Sequence, residues 1–146
     1  PGGYPELHAG VLAGANAFLG GLRDAAGCGT AIFGECGGYM VLGRSLVDAD
    51  GTRHTMAGLL PLETSFADRR LHLGYRVARL HRDGPLGTAG TGFRGHEFHY
   101  ASILEEQTDT PLFAAENARG EPLGPAGAVA GTVSGSFVHL IDRAEP

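Results

Sequence analysis

The chain has 146 residues, of which 42% are hydrophobic, and a formal net charge of −5 from 16 acidic and 11 basic side chains. This length fits one domain over residues 1–146, with enough apolar residues for one core. No apolar run approaches the roughly 18 residues of a membrane span. The acidic balance and the lack of an aromatic–basic stripe argue against nucleic-acid binding. The two cysteines make no disulfide framework, so we expect a cytoplasmic, reducing setting.

The chain starts with PGGYPE, a Pro- and Gly-rich segment that is typical of a loop and has no initiating Met. We therefore expect a fragment of a longer polypeptide. Helical spacing of apolar residues follows from Leu7 to Leu22, after Pro5 at a position that suits the first turn of a helix. Gly27 and Gly29 are expected to end this helix.

A short apolar run at residues 30–34 predicts a buried strand, and a second helix is expected to run to about Leu42. The rest of the chain favours strands over residues 56–66, 71–80, 92–104, 111–116 and 126–140. Closely spaced Pro and Gly predict a loop over residues 117–127. The order predicts an α/β domain whose sheet mixes a parallel part with antiparallel additions. Since no strand precedes the first helix, we expect N-terminal strands to be missing.

The most informative motif is GECGGYM at residues 34–40, between the predicted strand and the second helix. A strand, a tight turn and a helix form a nucleophile elbow, here with Cys36 as the nucleophile. The flanking glycines let the backbone bend and a ligand approach, and a helix N-terminus favours a thiolate. The alternative is that Cys36 is a small buried hydrophobe.

A nucleophilic Cys needs a general base and an oxyanion hole. Among seven histidines, His139 is the favoured base because it ends a strand of small residues, while His96 and His99 are rivals. The N–H of Gly37 would supply one oxyanion donor. The second would come from Gly2-Gly3, although a terminal Gly-Gly pair is also typical of a linker.

The stretch RGHEFHY at residues 94–100 is dense in polar and aromatic side chains. On a strand, Glu97 and His99 share one face and His96 lies on the other. We expect this stretch to border the active site, with Glu97 and His99 directed toward Cys36. Glu97 and His99 together also permit a metal site, but their ligand spacing is poor and no metal is predicted.

These motifs together resemble the glutamine amidotransferase domain of the cobyrinic acid a,c-diamide synthases, a family of cobalamin biosynthesis. The resemblance covers essentially all 146 residues and rests on PGGYPE at 1–6, GECGGYM at 34–40, RGHEFHY at 94–100 and SFVHL at 136–140. It implies a flavodoxin-like class I glutamine amidotransferase fold with a mixed sheet, lacking its N-terminal strands.

The resemblance implies that Cys36 attacks the side-chain amide of L-glutamine and that His139 transfers the proton. It further implies an oxyanion hole from Gly3 and Gly37, and supporting or glutamine-binding roles for Gly2, Gly38, Glu97 and His99. Many triad amidotransferases carry Glu two residues after the His, whereas this chain has Ile141 followed by Asp142. Glu97, Asp142 or a backbone carbonyl is therefore left as the group that orients His139.

The implied reaction supplies ammonia for ATP-dependent amidation of the a and c carboxylates of cobyrinic or hydrogenobyrinic acid. The resemblance implies that ATP and Mg act in a partner domain that precedes this one. This chain contains no Lys and so has no phosphate-binding loop with its Lys. The acceptor is alternatively cobyric acid, a nickel tetrapyrrole or a cell-wall lipid intermediate. A catalytically silent binding domain is a further alternative, and a homodimer is left open.

Overall fold

A computed structural model describes residues 1–106 and 109–144. A 3-10 turn at Pro5–Leu7 precedes three short α-helices and eleven β-strands in the described residues. The helices are α1 (Ala9–Gly14), α2 (Asn16–Gly27) and α3 (Gly37–Leu42). The strands are β1 (Ile32–Glu35), β2 (Ser45–Val47), β3 (Arg53–Thr55), β4 (Leu62–Ser65), β5 (His72–Leu80), β6 (Gly92–His99), β7 (Ser102–Glu106), β8 (Pro111–Asn117), β9 (Pro122–Ala130), β10 (Val133–Ser136) and β11 (Val138–Arg143).

The larger sheet has seven strands in the order β1-β10-β9-β8-β5-β6-β11. Only β1 and β10 run parallel, and the other neighbours are antiparallel. Strands β10 and β11 are separated by Phe137 alone, yet they lie in different parts of this sheet. The sheet must therefore curl, which brings the start of β11 back toward the end of β1.

The smaller sheet has the order β3-β2-β4-β7, in which only β2 and β4 are parallel. The main core contains the apolar face of α3, represented by Tyr39 and Met40, together with Leu46 and Leu62 of this sheet. Burial of such side chains contributes roughly 1.5–3 kcal/mol each, so α3 is anchored although it is only six residues long. No helix among the described residues has the length and apolar character needed to cross a membrane.

The predicted mixed α/β class is confirmed, with sheet predominating over helix. The strand before Cys36 and the second helix are also confirmed, as β1 and α3, but the predicted burial of the strand is wrong because only Gly34 of β1 is buried. Strand β1 lies at an edge of the larger sheet.

The prediction of one continuous first helix is wrong. The chain leaves helical geometry at His8 (φ −131°, ψ 20°) and again at Ala15 (φ −78°, ψ 63°). Glycines inside α1 favour these breaks because each weakens a helix by about 1 kcal/mol. Leu7 and Val11 are consequently not core residues, with 71% and 75% of their surfaces exposed.

The prediction of a loop over residues 117–127 is correct only for 118–121, because β8 extends to Asn117 and β9 begins at Pro122. Pro is tolerated as the first residue of a strand, and an irregularity opposite Ala115 and Glu116 absorbs the disturbed pairing. Three predicted strands are shorter or divided in the structure. Within 56–66, only Leu62–Ser65 forms a strand. The predicted strand 92–104 is divided into β6 and β7, and 126–140 is divided among β9, β10 and β11. The short strands β2 and β3 lie outside every predicted strand.

Candidate active site

Cys36 forms the sharp turn between β1 and α3. Its backbone has φ 50° and ψ −106°, and it is the one non-glycine residue with positive φ among those described. The Cys36 N–H donates to the carbonyl of Ser136 (2.9 Å), and the Met40 N–H donates to the carbonyl of Cys36 (3.1 Å). A strained conformation of this kind persists only where surrounding bonds enforce it. The predicted elbow is therefore present, with its strain centred on the thiol-bearing residue.

Close backbone packing explains the glycines on both sides of Cys36. A Cβ at Gly37 would lie 2.9 Å from the backbone nitrogen of Gly3, and a Cβ at Gly34 would lie 2.8 Å from the backbone of Gly38. Real Cβ atoms do not approach other atoms so closely. Gly37 thus allows the elbow to touch the N-terminal loop, and Gly34 allows β1 to pack closely against the start of α3.

The Cys36 side chain is buried, with 6% of the residue exposed. Its thiol donates a long hydrogen bond to the carbonyl oxygen of Phe98, with Sγ and O 3.8 Å apart. Burial raises the pKa of the Cys36 thiol, and the carboxylates of Glu6 and Glu35 act in the same direction, against the Gly37 N–H. Burial therefore outweighs the predicted help from the helix N-terminus, and the resting form is the neutral thiol.

A narrow cleft opens onto Cys36. Its volume is about 30 Å³, which corresponds to about one or two water molecules. An amino-acid-sized ligand would have to displace some of the surrounding side chains. The cleft is lined by Gly3, Tyr4, Glu6, Cys36, Met40, Phe66, Phe98, His99 and Tyr100.

The two proposed oxyanion residues lie next to each other. The Gly37 N–H lowers the pKa of the Cys36 thiol, against the larger effect of burial, and Gly3 packs against Gly37. The Gly38 N–H is engaged by the carbonyl of Pro1 (3.2 Å). A Cβ at Gly2 would lie 2.7 Å from Cε1 of His139. Residues 1–3 thus bridge the elbow and the His139 ring.

His139 lies on β11 directly opposite His96 of β6. The two imidazole rings stack, with centroids 4.9 Å apart and planes inclined by 8°. Burial lowers the pKa of His139, the charges of His96 and His99 lower it further, and Glu35 opposes them. No hydrogen bond joins His139 to Cys36 among the described side chains. The fold therefore brings His139 beside the elbow as a neutral imidazole.

Glu35 links the elbow to β11. Its Oε1 accepts a hydrogen bond from the Leu140 N–H at 3.0 Å. The residue before Cys36 is thereby tied to the residue after His139. Glu35 was not among the predicted site residues, although its place in the GECGGYM motif was a usable signal.

Glu97 and His99 belong to a polar network with Arg76. The Glu97 carboxylate contacts Arg76 Nε (2.5 Å) through Oε2 and His99 Nε2 (3.7 Å) through Oε1. Burial pushes the pKa of Glu97 up, but His99 and Arg76 outweigh it and leave this pKa below its usual range. His99 Nδ1 donates to the carbonyl of Ala101 (3.0 Å), and the His99 ring stacks on Phe137 at 3.9 Å.

The predicted geometry of the 94–100 stretch is correct in part. His99 and Phe98 line the cleft at Cys36, as expected of a site border, but Glu97 is directed to Arg76 and His99. His96, which was predicted to point away, stacks on the candidate base. Of the groups proposed to orient His139, Glu97 is engaged elsewhere and Asp142 is exposed. The His96–His139 stack was missed because it depends on the pairing of β6 with β11.

Comparison with known proteins gives one consistent result. All 146 residues match the family of the CobB/CobQ-like glutamine amidotransferase domain. The chain is 57% identical over 148 aligned residues to the hydrogenobyrinate a,c-diamide synthase of Sinorhizobium sp, covering 99% of this chain and 32% of that protein. The chain is 57% identical to the protein of the same name from Rhodobacter capsulatus, with 97% of this chain covered. It is 53% identical to that from Mesorhizobium japonicum, with 99% of this chain covered.

The chain spans about a third of the length of these curated relatives. The family match extends over the elbow, the cleft and both histidine-bearing strands. This chain therefore belongs to the family of CobB/CobQ-like glutamine amidotransferase domains.

Proposed function

We propose that this domain hydrolyses the side-chain amide of L-glutamine, with Cys36 as the nucleophile. The observation that carries the proposal is the strained Cys36 backbone in an elbow whose thiol-bearing residue lines a cleft. Elbows of this kind expose one nucleophile to a substrate and place a backbone donor next to it. Membership of the amidotransferase family supports glutamine as the substrate.

The first half-reaction forms a thioester. His139 accepts the proton of the Cys36 thiol, and the sulfur forms a bond to the amide carbon of glutamine. The carbonyl π electrons move onto oxygen, where the N–H groups of Gly3 and Gly37 stabilise the charge. When the tetrahedral intermediate collapses, the carbon–nitrogen bond breaks, and nitrogen takes the proton from His139 and leaves as ammonia.

The second half-reaction releases glutamate. His139 accepts a proton from water while the water oxygen attacks the thioester carbon. Collapse of the second intermediate breaks the carbon–sulfur bond, and the proton returns to the Cys36 sulfur. The sum is glutamine plus water giving glutamate plus ammonia. The lowered pKa of His139 suits this cycle because its neutral form accepts the proton.

The remaining predicted residues are assigned positioning roles. Gly2 packs against the His139 ring and Gly38 holds the carbonyl of Pro1, so both support the N-terminal loop that carries Gly3. Glu97 fixes His99, which lines the cleft that glutamine would enter.

We further propose that the ammonia is used to amidate the a and c carboxylates of hydrogenobyrinic or cobyrinic acid in cobalamin biosynthesis. The names of the relatives support this acceptor. ATP and Mg would act in a partner domain that holds the corrinoid. The chain contains no Lys and so has no P-loop Lys for nucleotide phosphates, and we assign no ATP-dependent step to its residues. A cytoplasmic setting and a homodimer stay predictions.

The test uses the full-length protein and the Cys36→Ser variant. We expect the variant to lose glutamine-dependent amidation by several orders of magnitude and to keep amidation with added ammonia, because the second site would be intact. Cys28 is exposed at the end of α2, so Cys28→Ser is the matched control and should be nearly silent. Normal glutamine hydrolysis by Cys36→Ser would overturn the assignment of the nucleophile.

A further inference from the structure

The His96–His139 stack is a cross-strand pair of two half-buried histidines. Directly opposite residues of antiparallel strands project to the same face, and β6 and β11 pair these two positions in register. A near-parallel arrangement of 8° at 4.9 Å between centroids lies within the range of attractive offset stacking. The contact restricts the plane of the His139 ring.

No carboxylate in the described part of the chain holds His139 by a hydrogen bond. Glu97 is bound to Arg76 and His99, and Asp142 accepts from the N–H of Arg143 (2.8 Å). Glu35 accepts from the Leu140 N–H rather than from the imidazole. The position two residues after His139 is Ile141, which is 63% exposed and apolar.

We propose that His96 is a positioning residue that orients His139 by ring stacking, in the place where a hydrogen-bonded carboxylate would otherwise act. This inference rests on the proposed function of His139 as the general base. A base displaced by about 1 Å can cost on the order of a hundredfold in rate. Stacking fixes the ring plane and leaves both ring nitrogens free to transfer a proton.

A stacked histidine acts on the charge of its neighbour in the opposite sense to a carboxylate. The charged or titratable side chains that face His139 are His96 and His99 on β6 and Glu35 on β1. Of these, only Glu35 favours the imidazolium. Replacing His96 by an uncharged ring should therefore raise the pKa of His139 and keep its orientation.

The test compares His96→Phe with His96→Ala in the full-length protein. Phe keeps an aromatic face against His139, whereas Ala removes it. We expect His96→Ala to lower kcat for glutamine hydrolysis tenfold to a hundredfold with little change in KM. His96→Phe should retain kcat within about threefold, while the acidic limb of its kcat/KM profile moves to higher pH. His81 is exposed on the segment after β5, and His81→Ala is the control.

A second readout is independent of glutamine hydrolysis. With ¹³C-labelled histidine, the imidazole signal of His139 is assigned by its loss in His139→Gln and followed with pH. The inference predicts a higher titration midpoint in His96→Phe than in the parent protein. An unchanged midpoint together with equal kcat values in the Phe and Ala variants would overturn it.

The two failures are distinguishable. Absence of glutamine hydrolysis in the parent protein would contradict the proposed function, while the His139 titration would still report the stack. Glutamine hydrolysis that is insensitive to both substitutions would overturn the role of His96 alone. Equally large losses of kcat in His96→Phe and His96→Ala would also overturn the role of His96, because an aromatic ring at position 96 would then give no benefit.

Discussion

The amide N–H of Leu140 donates a hydrogen bond to the carboxylate of Glu35 at 3.0 Å. This bond connects the residue before the candidate nucleophile with the residue after the candidate base. The two residues are far apart in sequence, and their strands β1 and β11 are not neighbours in the sheet. The bond therefore ties the segment that carries Cys36 to the segment that carries His139.

Substitution of Glu35 by Gln separates the two effects of this side chain. The amide oxygen of Gln can still accept from the Leu140 N–H, but the negative charge beside His139 is lost. Since Glu35 raises the pKa of His139, that pKa should fall. We expect the acidic limb of kcat/KM for glutamine hydrolysis to move to lower pH. The control is Glu121→Gln on an exposed turn, and a limb that stays in place or moves to higher pH would contradict the prediction.

Alkylation of Cys36 should be slow at neutral pH. Burial raises the pKa of the thiol above its ordinary value near 9.0, and the thiolate is the reacting form. In a Cys28→Ser background, the rate with iodoacetamide should increase with pH through and beyond pH 9. The rate is followed by intact-mass spectrometry, with free cysteine as the reference thiol. Fast alkylation that is already independent of pH between pH 6 and 8 would show a thiolate at rest.

Gly37→Ala should disturb the oxyanion hole. The new Cβ would lie 2.9 Å from the nitrogen of Gly3, so the N-terminal loop must move. Loss of one oxyanion donor costs roughly a hundredfold to a thousandfold in kcat, and we expect glutamine hydrolysis to fall by about that factor. The matched control is Gly20→Ala in α2, where the Cβ meets no atom within 4 Å. Gly20→Ala should keep glutamine hydrolysis and stabilise the helix by up to about 1 kcal/mol. Comparable losses of activity in Gly37→Ala and Gly20→Ala would argue that displacement of the N-terminal loop is not the cause of the loss.

Glu97→Gln should reduce glutamine-dependent activity by roughly tenfold to a thousandfold, the range of one orienting or acid–base contact. The substitution keeps the shape of the side chain and removes the charge that pairs with Arg76 and faces His99. Steady-state kinetics and thermal denaturation of the same preparation separate activity from stability. Unchanged kinetics with a lower Tm would show that this network only supports packing.

The elbow could be predicted from sequence because the residue types that permit it lie close together. A strand, two nearby glycines and a short apolar helix lie within eleven consecutive residues, 32–42. The contacts that hold the turn, from Cys36 to Ser136 and from Gly37 to Gly3, are long-range and could not be predicted. The interruption at Ala15 could not be read from apolar spacing, since periodicity reports which residues can share a face and not whether the backbone stays helical. Pro122 and Pro125 similarly suggested a loop, but pairing with β8 places both in a strand.

The surroundings of His139 could not be predicted because they depend on long-range register. Sequence spacing correctly put His96 on the face opposite to Glu97 and His99. Which of these faces meets the candidate base is decided by the pairing of β6 with β11, and that pairing puts His96 against His139. The hydrogen bond of Glu35 likewise depends on the curl that returns β11 toward β1.

The most direct test of the account is to identify the residue that forms a covalent bond with the substrate carbon. The full-length protein is incubated with a diazo-ketone analogue of glutamine, whose electrophilic carbon traps the attacking thiol, and is then digested for peptide mass mapping. We expect one adduct on the peptide that contains Cys36, protection by excess glutamine and parallel loss of glutamine hydrolysis. An adduct on Cys28, or full inactivation of glutamine hydrolysis with Cys36 unmodified, would contradict it.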